Sequence, residues 1–325
     1  MTRQTAYYAR RSSKQQSGFS MVELLIAVAL GIVLSWAILD VTLNSSRTAR
    51  ELELTSEMVE NGRYLTNLLS GELQLAGFYG RLEDYVDVTV TAQPDACVLS
   101  STSLRNGMNY PVFGLDGVAP GDTTCDSYVM LTGTDALLIR RADTSSVNTT
   151  AGLDNNKHYL QETVTAVVLE KFSSTVDHFT LREKDGTTVA AIREYHQDIY
   201  FVGTNNVFNR LSLINGAYTL EPLVEGVDDF QLVYGIDRSG DGIANADGGN
   251  PAFVELPASA SEWEDVVSVK VFLLLSSTSN APGLADGKTY SYADKAGITF
   301  SDSKKRRLFS AVARLTNVSI KRSGA

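Results

Sequence analysis

Sixteen consecutive residues, Leu24 to Leu39, carry no charge. They belong to a longer apolar run, Phe19–Leu39 (FSMVELLIAVALGIVLSWAIL), whose one charged residue is Glu23. A helix of about 20 residues crosses a hydrocarbon layer of about 30 Å, so this run is long enough to span a membrane. The preceding residues 1–18 contain Arg3, Arg10, Arg11 and Lys14 and no acid. That basic flank is expected to stay in the cytoplasm, placing everything after Leu39 on the far side. A secretory signal would carry its small-residue cleavage site after the apolar run. Here Ala37-Ile38-Leu39-Asp40 offers none, and the small residue, Gly18, precedes the run.

Glu23 does not suit a plain anchor. A carboxylate inside an apolar span is costly and marks function. Cleavage after Gly18 would create an α-amine on Phe19, close to Glu23 along the chain. Glu23 of one subunit could then neutralise the Phe19 amine of the next, where either charge alone would be very unfavourable. The pair would set the register of stacked helices.

Gly18-Phe19-Ser20-Met21-Val22-Glu23-Leu24-Leu25, behind a basic leader, resembles the class III signal of type IV prepilins and type II secretion pseudopilins. The resemblance implies cleavage between Gly18 and Phe19 by prepilin peptidase, a separate enzyme, and N-methylation of Phe19. The mature chain would keep 307 of the 325 residues, and losing four leader cations would take its formal charge from -10 to -14. Asn61–Gly80 and Val224–Gly242 look like the PilW branch of minor pilins. Pro111–Gly117, Thr134–Asp143 and Arg306–Ser319 are similar to it more weakly. PilW-like proteins are taken to help prime pilus assembly with other minor pilins, at or near the tip. Major pilins usually carry proline where this chain has Asp40. The tip-most pseudopilins often lack the acid that Glu23 supplies, so Glu23 leaves room for a subunit above this one.

The sequence predicts four segments: a leader over 1–18, a transmembrane and assembly helix over 19–39, its amphipathic continuation over 40–78, and a β-rich head over 79–325. Leu54, Met58, Leu65, Leu68, Leu69 and Leu75 recur on one helical face, and the helix is expected to stop near Ala76. Strands are expected at Val86–Thr91, Ala136–Arg141, Glu162–Leu169, His178–Leu181, Ile199–Val202, Phe230–Tyr234, Val266–Leu275 and Leu308–Leu315, bounded by turn-forming residues. The fold class is therefore α+β, pilin-like: a long N-terminal helix packed on one mostly antiparallel sheet with large loop insertions.

Cys97 and Cys125 would lie in an oxidising compartment, where a disulfide is expected. It would close a loop of about 27 residues and contribute roughly 3 kcal/mol. Gly107, Pro111, Gly114, Gly117, Pro120 and Gly121 lead us to expect an irregular loop there. Asp237, Ser239, Asp241, Ile243 (through its carbonyl) and Asn245 fall at the spacing of an EF-hand-type calcium loop, with Gly242 at the turn. The twelfth position is Gly248, and Asp247 comes one residue early. The other reading is an Asx-rich surface loop. No cofactor is required by this reading, and calcium is the one candidate ligand.

No catalytic motif is recognisable: there is no G-x-S-x-G and no H-E-x-x-H. Gly283–Thr289 is one residue short of a P-loop and reads as a turn. Asp177 beside His178 and Glu194 near His196 lack a nucleophile. The run Lys304–Arg307 sits in an acidic chain of net charge -10, so no nucleic-acid partner is expected. The expected partners are other minor pilins, the major pilin and an adhesin, with the inner membrane holding the chain before assembly. A type II secretion pseudopilin and a membrane-anchored periplasmic binding or hydrolytic domain are the alternatives.

Overall fold

The apolar run is the start of one continuous helix, α1, Met21–Leu75. The structure, a computed structural model, describes residues 18–83, 93–281 and 286–324. By its internal contacts the chain divides into two units, the first ending at Leu52 and the second starting at Glu53. At about 1.5 Å per residue the 55-residue helix is about 80 Å long. It ends one residue before the predicted stop. Gly77 follows at φ +72, the left-handed conformation that ends helices and that glycine accepts without penalty.

In the head, helix α2 (Ser101–Gly107) leads to strand β1 (Val112–Leu115) and β2 (Ala136–Ala142). Strands β3 (His158–Glu162), β4 (Val167–Lys171), β5 (Ala191–Val202), β6 (Val207–Ile214) and β7 (Ala217–Glu225) follow. These seven strands form one antiparallel sheet. The long β5 is its hub: one edge runs along β2, while the other pairs with β3 early and β6 late. Asn215 and Gly216, both at positive φ, make the tight β6–β7 turn. Asn-Gly is the strongest short hairpin signal a sequence carries.

Strand β8 (Val227–Ile236), β9 (Phe253–Val254), helix α3 (Ala260–Glu264) and β10 (Val266–Ser276) begin a second layer. The hairpin β11 (Thr289–Tyr292) and β12 (Lys295–Thr299), strand β13 (Arg306–Arg314) and helix α4 (Thr316–Ser323) complete the head. The second sheet has the order β13-β10-β8-β9. One sheet was expected; among the described residues the head holds two, plus the β11–β12 hairpin. Asp135 joins the two sheets just before β2. Its amide donates to the Phe230 carbonyl, and its carboxylate accepts from the amides of Leu232 (2.7 Å) and Gly117 (3.0 Å).

The principal core lies where α1 meets the second sheet. Met58, Leu65, Leu69 and Leu73 pack with Phe230, Leu232, Val269, Val271, Leu273 and Ala313. Of the predicted face, Leu54, Leu68 and Leu75 are only half-buried, whereas Gly62 and Leu73 are buried. Residues 40–53 are exposed, so the amphipathic half begins to bury at Leu54. Glu72 on α1 forms a two-pronged ion pair with Arg141 on β2, at 2.7 and 3.2 Å. The second core cluster lies on the opposite face of the first sheet, around Leu138, Leu160, Tyr195, Phe201 and Leu211, and is covered by Leu104 and Met108. With both faces of that sheet covered, β2 is buried at every position but Arg141.

The remaining strand predictions divide. Ala136–Arg141, Ile199–Val202, Phe230–Tyr234, Val266–Leu275 and Leu308–Leu315 fall on β2, β5, β8, β10 and β13. Glu162–Leu169 is not one strand but the turn between β3 and β4, closed by Thr163: its Oγ1 accepts from the Ala166 amide at 3.0 Å. His178–Leu181 is not a strand. The Gln161 side chain takes the place of a pairing strand, accepting from the Leu181 amide and donating to the Leu181 and Ala190 carbonyls. Val86–Thr91 lies wholly within 84–92, outside the described residues, as do Gly283–Ala285 of the P-loop-like stretch.

Candidate assembly site

Gly18, Phe19 and Glu23 sit together at the start of α1. Phe19 is 88% exposed, and the large apolar residues from Met21 to Leu43 are all exposed. An 18-residue window of this helix has a mean hydropathy of 2.5, so by length and composition it can cross a membrane. A bare apolar surface of this extent requires lipid or protein around it.

The helix start has a device that sequence reading overlooked. Glu23 reaches back so that its Oε2 accepts from the Ser20 amide at 3.0 Å. Ser20 Oγ accepts from the Val22 amide. Ser20-Met21-Val22-Glu23 is the S-x-x-E pattern of a capping box, with serine before the first turn and glutamate three residues on. In the single chain Glu23 therefore satisfies a backbone donor and complements the positive end of the helix dipole.

Cys97 and Cys125 form the expected disulfide, 28 residues apart in sequence. The segment between them is more regular than expected. It contains α2 and β1, and a 3-10 turn at Cys125–Ser127 follows it. Ser100 caps α2 by accepting from the Ser103 amide. Arg140, only 1% exposed, lies under Gly107 and donates to the Tyr110 carbonyl and to Gln197 Oε1.

The loop after β8 does not fit a calcium cage. Asp237 is fully buried, and its carboxylate is already engaged. Oδ1 accepts from the Gly240 amide at 2.7 Å, and Oδ2 accepts from the Gly242 amide and from Arg322 Nε, each at 2.8 Å. Asn245 Oδ1 accepts from the Arg238 amide, and Asp241 Oδ1 from the Ile243 amide. Ser239 Oγ donates to Asp237, and the Asp247 and Asn250 backbones bond to each other. No cluster of three or more metal-binding side chains occurs among the described residues. The Arg322 guanidinium on α4 is the cation of this loop. Burial raises the Asp237 pKa, but Arg322 and the glycine amides outweigh it and hold the carboxyl down at about 2.

The three histidines are dispersed. His158 is buried on β3, its pKa pushed down to about 4 chiefly by burial and then by Lys171. His178 is exposed, and His196 lies 3.8 Å from Asp143. A cavity of about 270 Å³ beside the disulfide is lined mainly by apolar side chains, and a larger one of about 710 Å³ lies at the β5–β6 turn. Neither lining contains a histidine, lysine or arginine.

A long helix with a bare apolar start, entered through Gly18-Phe19 and carrying Glu23 in its first turn, on an α+β head, is a pilin-like α+β arrangement. Residues 13–39 match the model of the prokaryotic N-terminal methylation motif, and residues 199–317 match that of type IV pilus-assembly protein W. Over these two stretches, together less than half of its length, the chain is similar to PilW-like type IV pilins. The second match spans the end of β5 through the start of α4, and so covers all four strands of the second sheet. Among solved structures a type IV-like pilin from Thermus thermophilus is similar at 15% identity and a TM-score of 0.35, covering 80% of this chain and 98% of that one. No curated protein matches the chain. The apolar helix and the methylation motif together suit a membrane-anchored pilin.

Proposed function

We propose that this protein is a minor pilin that primes assembly of a type IV pilus with other minor pilins and sits at or near its tip. Its work is association, not catalysis. Prepilin peptidase would cut between Gly18 and Phe19, leaving the head outside the inner membrane until α1 moves from bilayer to fibre. The observation that carries this reading is Glu23, the one charged residue of the exposed apolar run Phe19–Leu39 and placed in the first turn of α1. In the single chain it is bonded to the Ser20 amide. On assembly it would exchange that backbone donor for the methylated amine of Phe19 on a neighbour. The exchange trades a neutral donor for a cation, which is favoured where water is excluded.

The test is Glu23→Ala in cells that make pili. Cleavage after Gly18 should proceed normally, because the scissile bond is untouched. The fraction of the chain in sheared fibres should fall at least tenfold. Normal incorporation would contradict the register role of Glu23.

A further inference from the structure

The exposed edge of the second sheet offers a binding surface that the assembly helix does not use. Among the described residues strand β13 pairs only with β10. The flanking bonds, Leu315 N to Val267 O and Ser277 N to Lys305 O, fix which residues face β10. In an antiparallel ladder such pairs recur every second residue, so Arg307, Phe309, Ala311 and Ala313 bond inward. The N–H and C=O groups of Leu308, Ser310 and Val312 point away from the sheet and pair with no strand among the described residues.

Proteins usually blunt such an edge with proline, acid or lysine, or with brevity. The other edges here are blunted: β1 and β4 have four and five residues, β9 has two, and β7 contains Pro222. β13 has nine residues, and its six-residue centre, Leu308–Ala313, carries neither charge nor proline. Val312 is 65% exposed, and Ser310 is exposed beside it. Exposed cations bracket this centre. Arg307 makes no ion pair among the described residues and lies over the Phe309 ring, while Arg314 donates to the Gly242 carbonyl. No acid occurs in β13. An edge flanked by cations in a chain of net charge -10 favours an acidic partner.

We infer that β13 is a docking edge for an extended, acidic segment of a different subunit, which adds as a strand beside Leu308, Ser310 and Val312 and places carboxylates against Arg307 and Arg314. Backbone pairing would give affinity and the two arginines selectivity. A second copy of this chain is a poor occupant, because its own acidic edge, β7 with Glu221 and Glu225, is interrupted by Pro222. This inference rests on the pilin reading and names the partner-facing surface of the head.

The test places the photo-cross-linker benzoylphenylalanine at Ser310 or Val312 of the full chain in its own cells, with Thr187 as the exposed control. Both fibre and membrane fractions are read. The expected result is an adduct at least tenfold above the control, on an extended segment of another subunit with Asp or Glu within two residues. With the probe at Ser310, Val312→Pro should cut the yield at least tenfold, since that outward N–H bonds nothing within the sheet. Arg307→Glu, at an exposed position with no ion pair among the described residues, should lower it likewise and guards against misfolding of the proline variant. No adduct in either fraction, an adduct to a second copy or to a segment without acid, or an unchanged yield in both variants would overturn the inference. Absence of the chain from fibres would instead contradict the pilus reading, and an adduct in the membrane fraction would still support the edge.

Discussion

A β-carbon placed on Gly62 would lie 2.5 Å from the ring of Phe309. The glycine on α1 and the phenylalanine on β13 thus set how closely the helix approaches the second sheet. Glycine in mid-helix costs roughly 1 kcal/mol relative to alanine, so helix propensity does not explain Gly62, whereas close packing does. Gly62→Leu should destabilise the head by about 1–3 kcal/mol, the usual cost of overpacking. Removing the ring should relieve the clash, so Gly62→Leu with Phe309→Ala should cost less than the two single changes added. Urea unfolding of all four chains tests this. Additive effects would mean that the two residues do not meet.

Reducing the Cys97–Cys125 disulfide should lower stability by about 3 kcal/mol, from the entropy of a 28-residue separation. Because α2 and β1 lie inside the loop, hydrogen exchange should rise there first. Cys97→Ser with Cys125→Ser, compared with the oxidised chain, provides the measurement. Equal unfolding midpoints would show that the loop is held without the staple.

Burial pushes the Asp135 pKa up to about 7, against the lowering effect of the Gly117 and Leu232 amides, with Asp116 and Asp229 adding repulsion. The folded pKa then lies above that of the unfolded chain, so folding favours the protonated acid. The associated stability is complete below about pH 4 and is lost as pH rises towards 7. Asp198, Asp229 and Glu162 are also shifted upward, principally by burial. Melting temperature should therefore fall between pH 4.5 and 7.5, and Asp135→Asn should flatten that slope. A slope unchanged by the substitution would assign it to the other acids.

Arg322 holds Asp237 as an internal cation, so calcium and EDTA should leave the same melting temperature. Arg322→Met should destabilise the head by several kcal/mol, because it strands a buried carboxylate. A calcium-dependent melting temperature in the unaltered chain would restore the loop as a metal site.

The sequence exposed what depends on local pattern and hid what depends on distant partners. The span from Phe19, the helix end near Ala76, and strands β2, β10 and β13 follow from runs of apolar residues and their spacing. The turn at Thr163 was not visible because a threonine hydroxyl, not glycine or proline, closes it. The Asn215-Gly216 hairpin and the Ser20–Glu23 capping box were written in short motifs that were overlooked. The calcium-like spacing after Asp237 could not reveal that Arg322, 85 residues later, would supply the charge. The link between the two sheets runs through Asp135 meeting the β8 backbone, a contact 97 residues long in sequence.

Mass spectrometry of the N-terminal peptide from sheared fibres and from membranes tests the central claim most directly. The account predicts a peptide beginning at N-methylated Phe19 and present in fibres. A chain that keeps residues 1–18 in both fractions would be a simple anchor, and the assembly role of Glu23 would fall with it.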